Sequence, residues 1–561
     1  MGDQIKRWLS GFHLWQFIAL LVLIALFTVL MIFPLVSLFS KAFTDKSGTF
    51  VGLENYLTYF NNPTLTASIL NTIDIALWST LFAVTFGFLY AYALARTRIR
   101  GKTFFRYCAM IPIFIPTVIH ALGLVYLFGK QGIFTRAGLF PFELYGRLGI
   151  ILSEIIFTFP QAFLMFFIAL EFADGRLYEA AESMGVSAFK KLKNITLPEI
   201  RFTLINAVFV CFTLAFTDFG APKVIGGSFN VLATDIYKQV AGQFNFNMGA
   251  VVGTLLLIPA VLSFIADRAL GNQNAGTINA KATRLNIEKS TVRDTFFFVF
   301  CVAITLFFFV LIASLFVGGL SENYPYNLAF TLKNFSFSRS AGGMDSYFNS
   351  LKMAVLTTAI GTIFVFIYAY LIEKTSGSEL LRKYGKLLSV LPLALPGMVI
   401  GISYIFFFNN PSNPLNFMYG TLMILVVSNI VHYFSVPFLT ATGTLKKLDK
   451  EFESVSDSMN VPRWKTFMRV SVPLSLPAIL EICLYFFVNA MVTVSAVAFL
   501  YSAQFKIAAI AITHMEEAGN FGQAAAMSLL ILGINVLVRI LYETAIRIIK
   551  HKTSEREEVL V

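Results

Sequence analysis

Long uncharged apolar runs alternate with short basic segments over nearly the whole chain. After Lys6 and Arg7 the residues from Phe17 to Ser40 carry no charge, a run longer than the apolar core of a secretory signal and without a clear small-x-small cleavage site. A helix needs about 20 apolar residues to cross a bilayer. The pattern predicts spanning helices near 17–40, 67–95, 105–128, 148–170, 201–218 and 246–266, then near 295–318, 346–372, 385–408, 418–442, 476–500 and 521–541. The expected fold class is therefore an all-α polytopic membrane protein with about twelve transmembrane helices in two homologous six-helix halves. Residues 1–266 form the first repeat, 267–294 a polar cytoplasmic linker, and 295–561 the second repeat with a cytoplasmic tail.

Composition agrees with this reading: of 561 residues 57% are hydrophobic and only 13% charged, against roughly 25% in soluble chains. The net charge of +12 would invite a nucleic-acid reading in a soluble protein. Here it follows from the retention of Lys and Arg on the cytoplasmic side. With the N-terminus inside, 32 of the 43 basic residues fall in cytoplasmic segments and 10 in external ones, with Lys352 inside a span. Both termini are thus expected in the cytoplasm, with lipid as the surroundings and no nucleic acid as partner. Cys108, Cys211, Cys301 and Cys483 lie in or beside apolar runs without the paired spacing of metal or redox sites. They read as small hydrophobes.

Comparing the chain with itself reveals a duplication. Asn71-Thr-Ile-Asp74 opens a run reaching Tyr90-Ala91-Tyr92 and Thr97, and 278 residues later Asn349-Ser-Leu-Lys352 opens one reaching Tyr368-Ala369-Tyr370 and Thr375. Pro112 and Pro116 match Pro392 and Pro396, and Pro160 matches Pro437. Six spans per repeat give the halves the same orientation, so an axis along the membrane normal, with a substrate path along it, is expected.

The connection after the fourth span of each half is patterned beyond what a loop requires. The first reads Glu179-Ala180-Ala181-Glu182-Ser183-Met184-Gly185, nine residues, then Ile195-Thr196-Leu197-Pro198. The second, 275 residues on, reads Ser454-Val455-Ser456-Asp457-Ser458-Met459-Asn460, nine residues, then Val470-Ser471-Val472-Pro473. Small residues with a carboxylate let another protein approach closely and offer it a charge. Gly185 suits a reversal through positive φ, which Asn460 also tolerates, and Pro198 and Pro473 reset the chain before the next span.

The first segment resembles the signature of the membrane subunits of binding-protein-dependent type I ABC importers. That resemblance implies a coupling helix that docks on an ATPase subunit: Glu179, Ala180, Ala181 and Gly185 in one site, Ser454, Ser456 and Asn460 in the other. Ser454 stands where the family's carboxylate is expected, so the two sites should be unequal. The resemblance further implies two ATP-binding cassette subunits that bind ATP and Mg, an extracytoplasmic solute-binding protein, and no cofactor or enzymatic activity in this chain. A P-loop is missing: before Gly101-Lys102-Thr103, Arg96 occupies the place of the first glycine. Fused permeases of this size resemble the ferric-iron and phosphonate branch, which implies iron(III), hexose phosphate or 2-aminoethylphosphonate as cargo. Phe216 to Lys223 and Val494 to Tyr501 look closer to the 2-aminoethylphosphonate members.

Ionisable groups inside spans are costly and are default functional candidates. Asp74 and Lys352 hold corresponding positions and could pair as a gate or meet a passing ion; the plainer alternative is that each reaches the outer interface or a neighbouring helix. His120 reads more simply as a buried structural histidine than as a ligand. Asp218, with Lys223, sits at the outer end of the fifth helix, where it could line the entrance. No carboxylates or tyrosines cluster at ligand spacing, so no metal site is expected, although a permease can pass iron without holding it. The chief rival is an ion-gradient-driven transporter of the major facilitator type, also built as two parallel halves. Against it stand both patterned loops and the lack of a Gly-x-x-x-Asp pattern between Ala95 and Tyr107.

Overall fold

The computed structural model describes residues 11–274, 287, 289–337, 342–374, 378–449, 451–459 and 461–559. The longer helices of the first half are α1 (Gly11–Ala42), α2 (Pro63–Arg96), α3 (Lys102–Ala109), α4 (Thr117–Phe128), α5 (Arg147–Glu171), α6 (Gly175–Ser183), α7 (Arg201–Thr217) and α8 (Phe246–Asn274). Those of the second are α9 (Thr291–Leu320), α10 (Asp345–Lys374), α11 (Glu379–Val390), α12 (Gly397–Phe408), α13 (Leu422–His432), α14 (Ser435–Lys447), α15 (Glu451–Ser458), α16 (Leu476–Val492), α17 (Ala508–Glu517) and α18 (Phe521–Val559). A small antiparallel hairpin, β1 (Ser321–Asn323) with β2 (Asn327–Phe330), follows α9. Among the described residues eight helices are long and apolar enough to cross a membrane, and up to twelve spans result if each bent pair counts as one.

Prolines account for where the expected spans break. The span expected at 105–128 is two helices: after α3 comes a 3₁₀ turn (Ile111–Phe114), then extended Ile115, and α4 starts beyond Pro116. The span expected at 385–408 repeats this, with extended Leu395 and a start beyond Pro396; its two pieces meet at 112°. Proline removes a helical donor and pushes the residue before it out of the helical region. The span expected at 418–442 bends by 55° between α13 and α14, just before Pro437, whereas α5 carries Pro160 inside one helix. The span expected at 476–500 ends at Val492, and Thr493 is extended.

The chain divides into two compact units, and these differ from the sequence halves 1–266 and 295–561. One comprises Phe50–Ala341 with Ala511–Leu529; the other comprises Gly342–Ile510 with Met1–Thr49 and Leu530–Val561. Each half therefore contributes its first helix to the unit built mainly by the other. α1 and α9 are the least buried spans, with 28% and 22% of their apolar windows covered. Their seats are specific: the Tyr404 hydroxyl donates to Leu30 O at 2.8 Å, and the Phe27 ring lies 4.2 Å from that of Phe434. In the other unit Ser314 donates to Gly123 O at 3.3 Å and Tyr90 Oη lies 3.0 Å from Thr305 Oγ1.

The same brace holds the N-terminal part of the second helix in each repeat. Asn71 Nδ2 donates to Asn230 O at 2.9 Å, and Thr72 Oγ1 accepts from Leu232 N at 2.9 Å. Asn349 Nδ2 donates to Gln504 O and Lys506 O at 3.0 and 3.2 Å, and Ser350 Oγ accepts from Ala508 N at 2.8 Å. Buried backbone groups in an apolar medium need partners, and both repeats supply them with an amide and a hydroxyl at adjacent positions.

Candidate functional site

The patterned loops fold alike. Asp174 caps α6, accepting from Arg176 N at 3.1 Å. The helix ends with Gly185 N donating to Glu182 O (2.9 Å) and Val186 N to Ala181 O (3.0 Å). This double bond is completed by Gly185 at φ +67°, a conformation that a side chain disfavours. A short helix (Ala188–Lys191) and a π turn (Leu192–Thr196) lead to Pro198. In the second repeat Val461 N donates to Ser456 O at 2.9 Å, and a short helix (Arg463–Thr466) and π turn (Phe467–Ser471) lead to Pro473. Asn460 lies outside the described residues.

Of the residues singled out by sequence, Glu179, Ala180, Gly185 and Ser454 are exposed, as are Pro198 and Pro473. Ala181 and Ser456 instead turn inward, each 7% exposed. Ser456 Oγ donates to Val461 O at 3.2 Å and meets the Thr466 hydroxyl, so these two positions hold the loop together and do not face outward. Sequence reasoning missed an apolar rim: Leu177, Met184 and Phe189 are exposed, and so are Phe452, Met459 and Trp464 at the same 275-residue offset.

Each loop is tied to the C-terminal end of the second helix of its repeat, by different chemistry. In the first, the Arg96 guanidinium carbon lies 4.7 Å over the Tyr178 ring, and Tyr178 Oη donates to Thr196 Oγ1 at 2.9 Å. Nε and Nη2 of Arg96 are buried without an acceptor. In the second, Lys374 Nζ lies 2.9 Å from Glu453 Oε1, the two side chains being 8% and 13% exposed. There Arg463 Nη1 also donates to Lys374 O at 3.1 Å.

The ionisable groups expected along a path have different surroundings. Asp74 is held by Arg147 through bonds of 2.5 and 2.9 Å, and Lys352 is exposed with no ion-pair partner among the described residues. His120 is fully buried, as a structural histidine would be. Asp218 is half-buried and accepts from Thr117 Oγ1 (3.0 Å) and Ala221 N (2.9 Å). Beside it lies Glu154, fully buried on α5, its carboxyl facing that of Asp218 and meeting no other hydrogen-bonding group among the described residues. That carboxylate inside an apolar run was a readable signal and was overlooked. At the 275-residue offset Ser153-Glu154 becomes Ser428-Asn429 and Asp218 becomes Thr493, so the second repeat replaces both acids by neutral groups. Among the described residues no three His, Cys, Asp or Glu side chains are placed to hold a metal ion.

Comparison with known proteins gives the geometry its context. A family model described as binding-protein-dependent transport system inner membrane component matches residues 83–279 and 369–547, once in each repeat. The ferric transport system permease protein FbpB of Actinobacillus pleuropneumoniae is 28% identical over 540 residues, covering 94% of this chain and 77% of that one. A putative ferric transport system permease protein FbpB of Haemophilus influenzae is 28% identical over 504 residues, covering 87% and 78%. A probable sulfate transport system permease protein cysT of Chlorella vulgaris is 27% identical over 217 residues, covering 37% of this chain and 80% of that one. With more than half of its length matched by the family model, the chain belongs to the inner-membrane components of binding-protein-dependent transport systems, as a multi-pass, non-catalytic permease subunit of an ABC importer.

Proposed function

We propose that this chain is the fused permease of an ATP-driven ferric-iron importer, in which α6 and α15, with the turns after them, each receive one ATPase subunit and pass its closing motion into the spans. The observation that carries the reading is the repeated rim: Leu177, Met184 and Phe189 in one loop and Phe452, Met459 and Trp464 in the other stand exposed on the same scaffold. Exposed apolar side chains grouped on a polar cytoplasmic loop suit a protein partner. Glu179 adds a carboxylate to the first surface, and Ser454 leaves the second without one at that position. An extracytoplasmic binding protein delivers the cargo, and alternating access moves it inward. Family membership leaves no place for the ion-gradient alternative.

Iron(III) is preferred over a phosphonate because two relatives that align along most of the chain are named for ferric transport. The likeness of Phe216 to Lys223 to 2-aminoethylphosphonate permeases makes that the second cargo to test. The decisive experiment isolates the tagged chain from native membranes with its partners and measures ATPase activity with and without the copurifying binding protein. Stimulation by the iron-loaded binding protein, with uptake of radioactive iron into vesicles, supports the proposal. Stimulation only by the phosphonate-loaded protein reassigns the cargo, and purification without any ATPase overturns the coupling role.

A further inference from the structure

The cytoplasmic end of the first repeat holds a cavity of about 600 Å³, walled by Arg96, Lys102, Thr103 and Arg106 with Phe167 and Glu171. Arg96 is only 6% exposed and has two buried nitrogens without an acceptor. Arg106 stacks at 4.9 Å over the Phe167 ring and, like Arg96, pairs with no carboxylate among the described residues. Burial lowers the pKa of the Lys102 ammonium, while Asp294 pulls it back up.

The second repeat shows what is missing. At the repeat offset Arg96 corresponds to Lys374, which pairs with Glu453, and Arg106 corresponds to Lys386, which pairs with Glu373 at 2.9 Å. The first-repeat counterparts of those two acids are Tyr178 and Ala95. Neither position carries a carboxylate, both cations remain, and the cavity that they line sets one acid, Glu171, against the three cations Arg96, Lys102 and Arg106. A buried cation without a partner is strongly disfavoured, and a guanidinium fork with an ammonium matches the oxygens of a phosphate.

We propose that this cavity binds a phosphate-bearing anion, which supplies the negative charge that Glu373 and Glu453 supply in the other repeat. Leu94 and Ile287 add an apolar wall, and basic pockets at the cytoplasmic membrane face suit anionic lipid headgroups; a soluble phosphate would satisfy the same donors. Because Arg96 lies on the Tyr178 ring, the occupant fixes the residue that steadies α6. That consequence rests on the docking role proposed for α6, whereas the binding itself does not.

The test uses the full-length purified chain in nanodiscs of phosphatidylcholine alone, of phosphatidylcholine with phosphatidylglycerol, and of phosphatidylcholine with added inorganic phosphate, reading thermal stability and lipids retained in native mass spectra. Expected is a saturable rise in unfolding temperature with phosphatidylglycerol, retained phosphatidylglycerol on the wild type, and roughly tenfold weaker retention in Arg106→Gln, about the loss of one charge-assisted contact. A rise with inorganic phosphate as well identifies a soluble source. Ala95→Glu, which restores an internal acid, should stabilise the protein in phosphatidylcholine and remove its response to either anion. The proposal is overturned if neither anion shifts the wild type, or if Arg106→Gln and Ala95→Glu respond as the wild type does. ATPase coupling is not a readout, so a failure of the importer reading leaves this result interpretable.

Discussion

The two repeats agree at the N-terminal part of the second helix and part at its C-terminal end. At the first, an amide and a hydroxyl at adjacent positions brace the helix in both, with bonds of 2.8 to 3.2 Å. At the second, the same helix holds the following loop by a nearly buried ion pair in one repeat, Lys374 with Glu453, and by Arg96 over Tyr178 in the other. The N-terminal brace satisfies backbone groups, which every copy of the fold must do. The C-terminal tether needs only some favourable contact between a cation and the loop, so its chemistry is free to diverge. An ion pair between nearly buried side chains fixes one geometry and is intolerant of losing a partner. A cation over a ring keeps the guanidinium nitrogens available for something else.

The largest effect expected from this contrast is on stability. Lys374→Ala leaves Glu453 with its charge and little solvent, and should destabilise the second unit by about 3 kcal/mol. Arg96→Ala removes a cation–π contact and relieves an unpaired charge, with a cost of about 1 kcal/mol or less. Denaturant unfolding of the purified protein in one detergent compares them directly. Equal costs would show that the two tethers differ in appearance only.

On coupling, the exposed carboxylate separates the loops. Glu179→Arg reverses a charge on the surface proposed to meet an ATPase, and should lower stimulated ATPase activity about tenfold, the loss of a single strong interfacial contact. Ser454→Arg adds a charge where none stood and should cost only a few-fold. Both are read in the reconstituted complex as the ratio of stimulated to basal rate. The same loss in both variants would remove the asymmetry between docking surfaces.

Much of this was legible in the sequence because membrane burial imposes strong patterns. Span number, repeat offset and the turn at Gly185 all follow from residue type and spacing. The breaks at Ile115 and Leu395 were signalled by Pro116 and Pro396, yet a continuous apolar run hides a bend, since apolar residues suit a helix on either side of it. The exchange of α1 and α9 between units could not be read, because a lipid-facing helix has the same composition whichever unit it lies against. Among site residues, exposure at Glu179 and inward orientation at Ala181 depend on helix phase, which a loop motif alone does not set. The pairing of Asp74 with Arg147 and of Lys374 with Glu453 joins residues more than 70 apart, a distance at which charge pattern gives no direction.

Helix α17 offers a test of another kind, tied to pH. Glu516 on α17 lies outside the spans, and burial, with Glu517 beside it, pushes its carboxyl up to about 7, with Lys223 pulling the other way. A carboxyl whose folded pKa is raised contributes stability below its unfolded pKa and loses it as pH rises through the folded one. The unfolding midpoint should therefore fall between about pH 4.5 and 7 in the wild type, and that part of the fall should vanish in Glu516→Gln. The Lys223–Glu517 pair at 2.6 Å is left in place by that change. An identical pH profile in the variant would assign the dependence to other groups.

The smallest expected effect is the most direct trial of the comparison, since it asks whether one tether can replace the other. Arg96→Lys with Tyr178→Glu writes the second repeat's pair into the first. Each single change should destabilise: Tyr178→Glu loses a buried ring and the 2.9 Å bond to Thr196, and Arg96→Lys loses the broad guanidinium face that lies on the ring. If the backbones place these positions alike, the double variant recovers about 1 kcal/mol relative to the sum of the singles, as contacting residues do in a double-mutant cycle. Additive costs would mean that the helix end and the loop are set differently in the two repeats, and that the change of chemistry followed a change of backbone. Recovery would mean the reverse: the backbone is common, the pair of side chains is interchangeable, and the free donors of Arg96 are what distinguish the first repeat from the second.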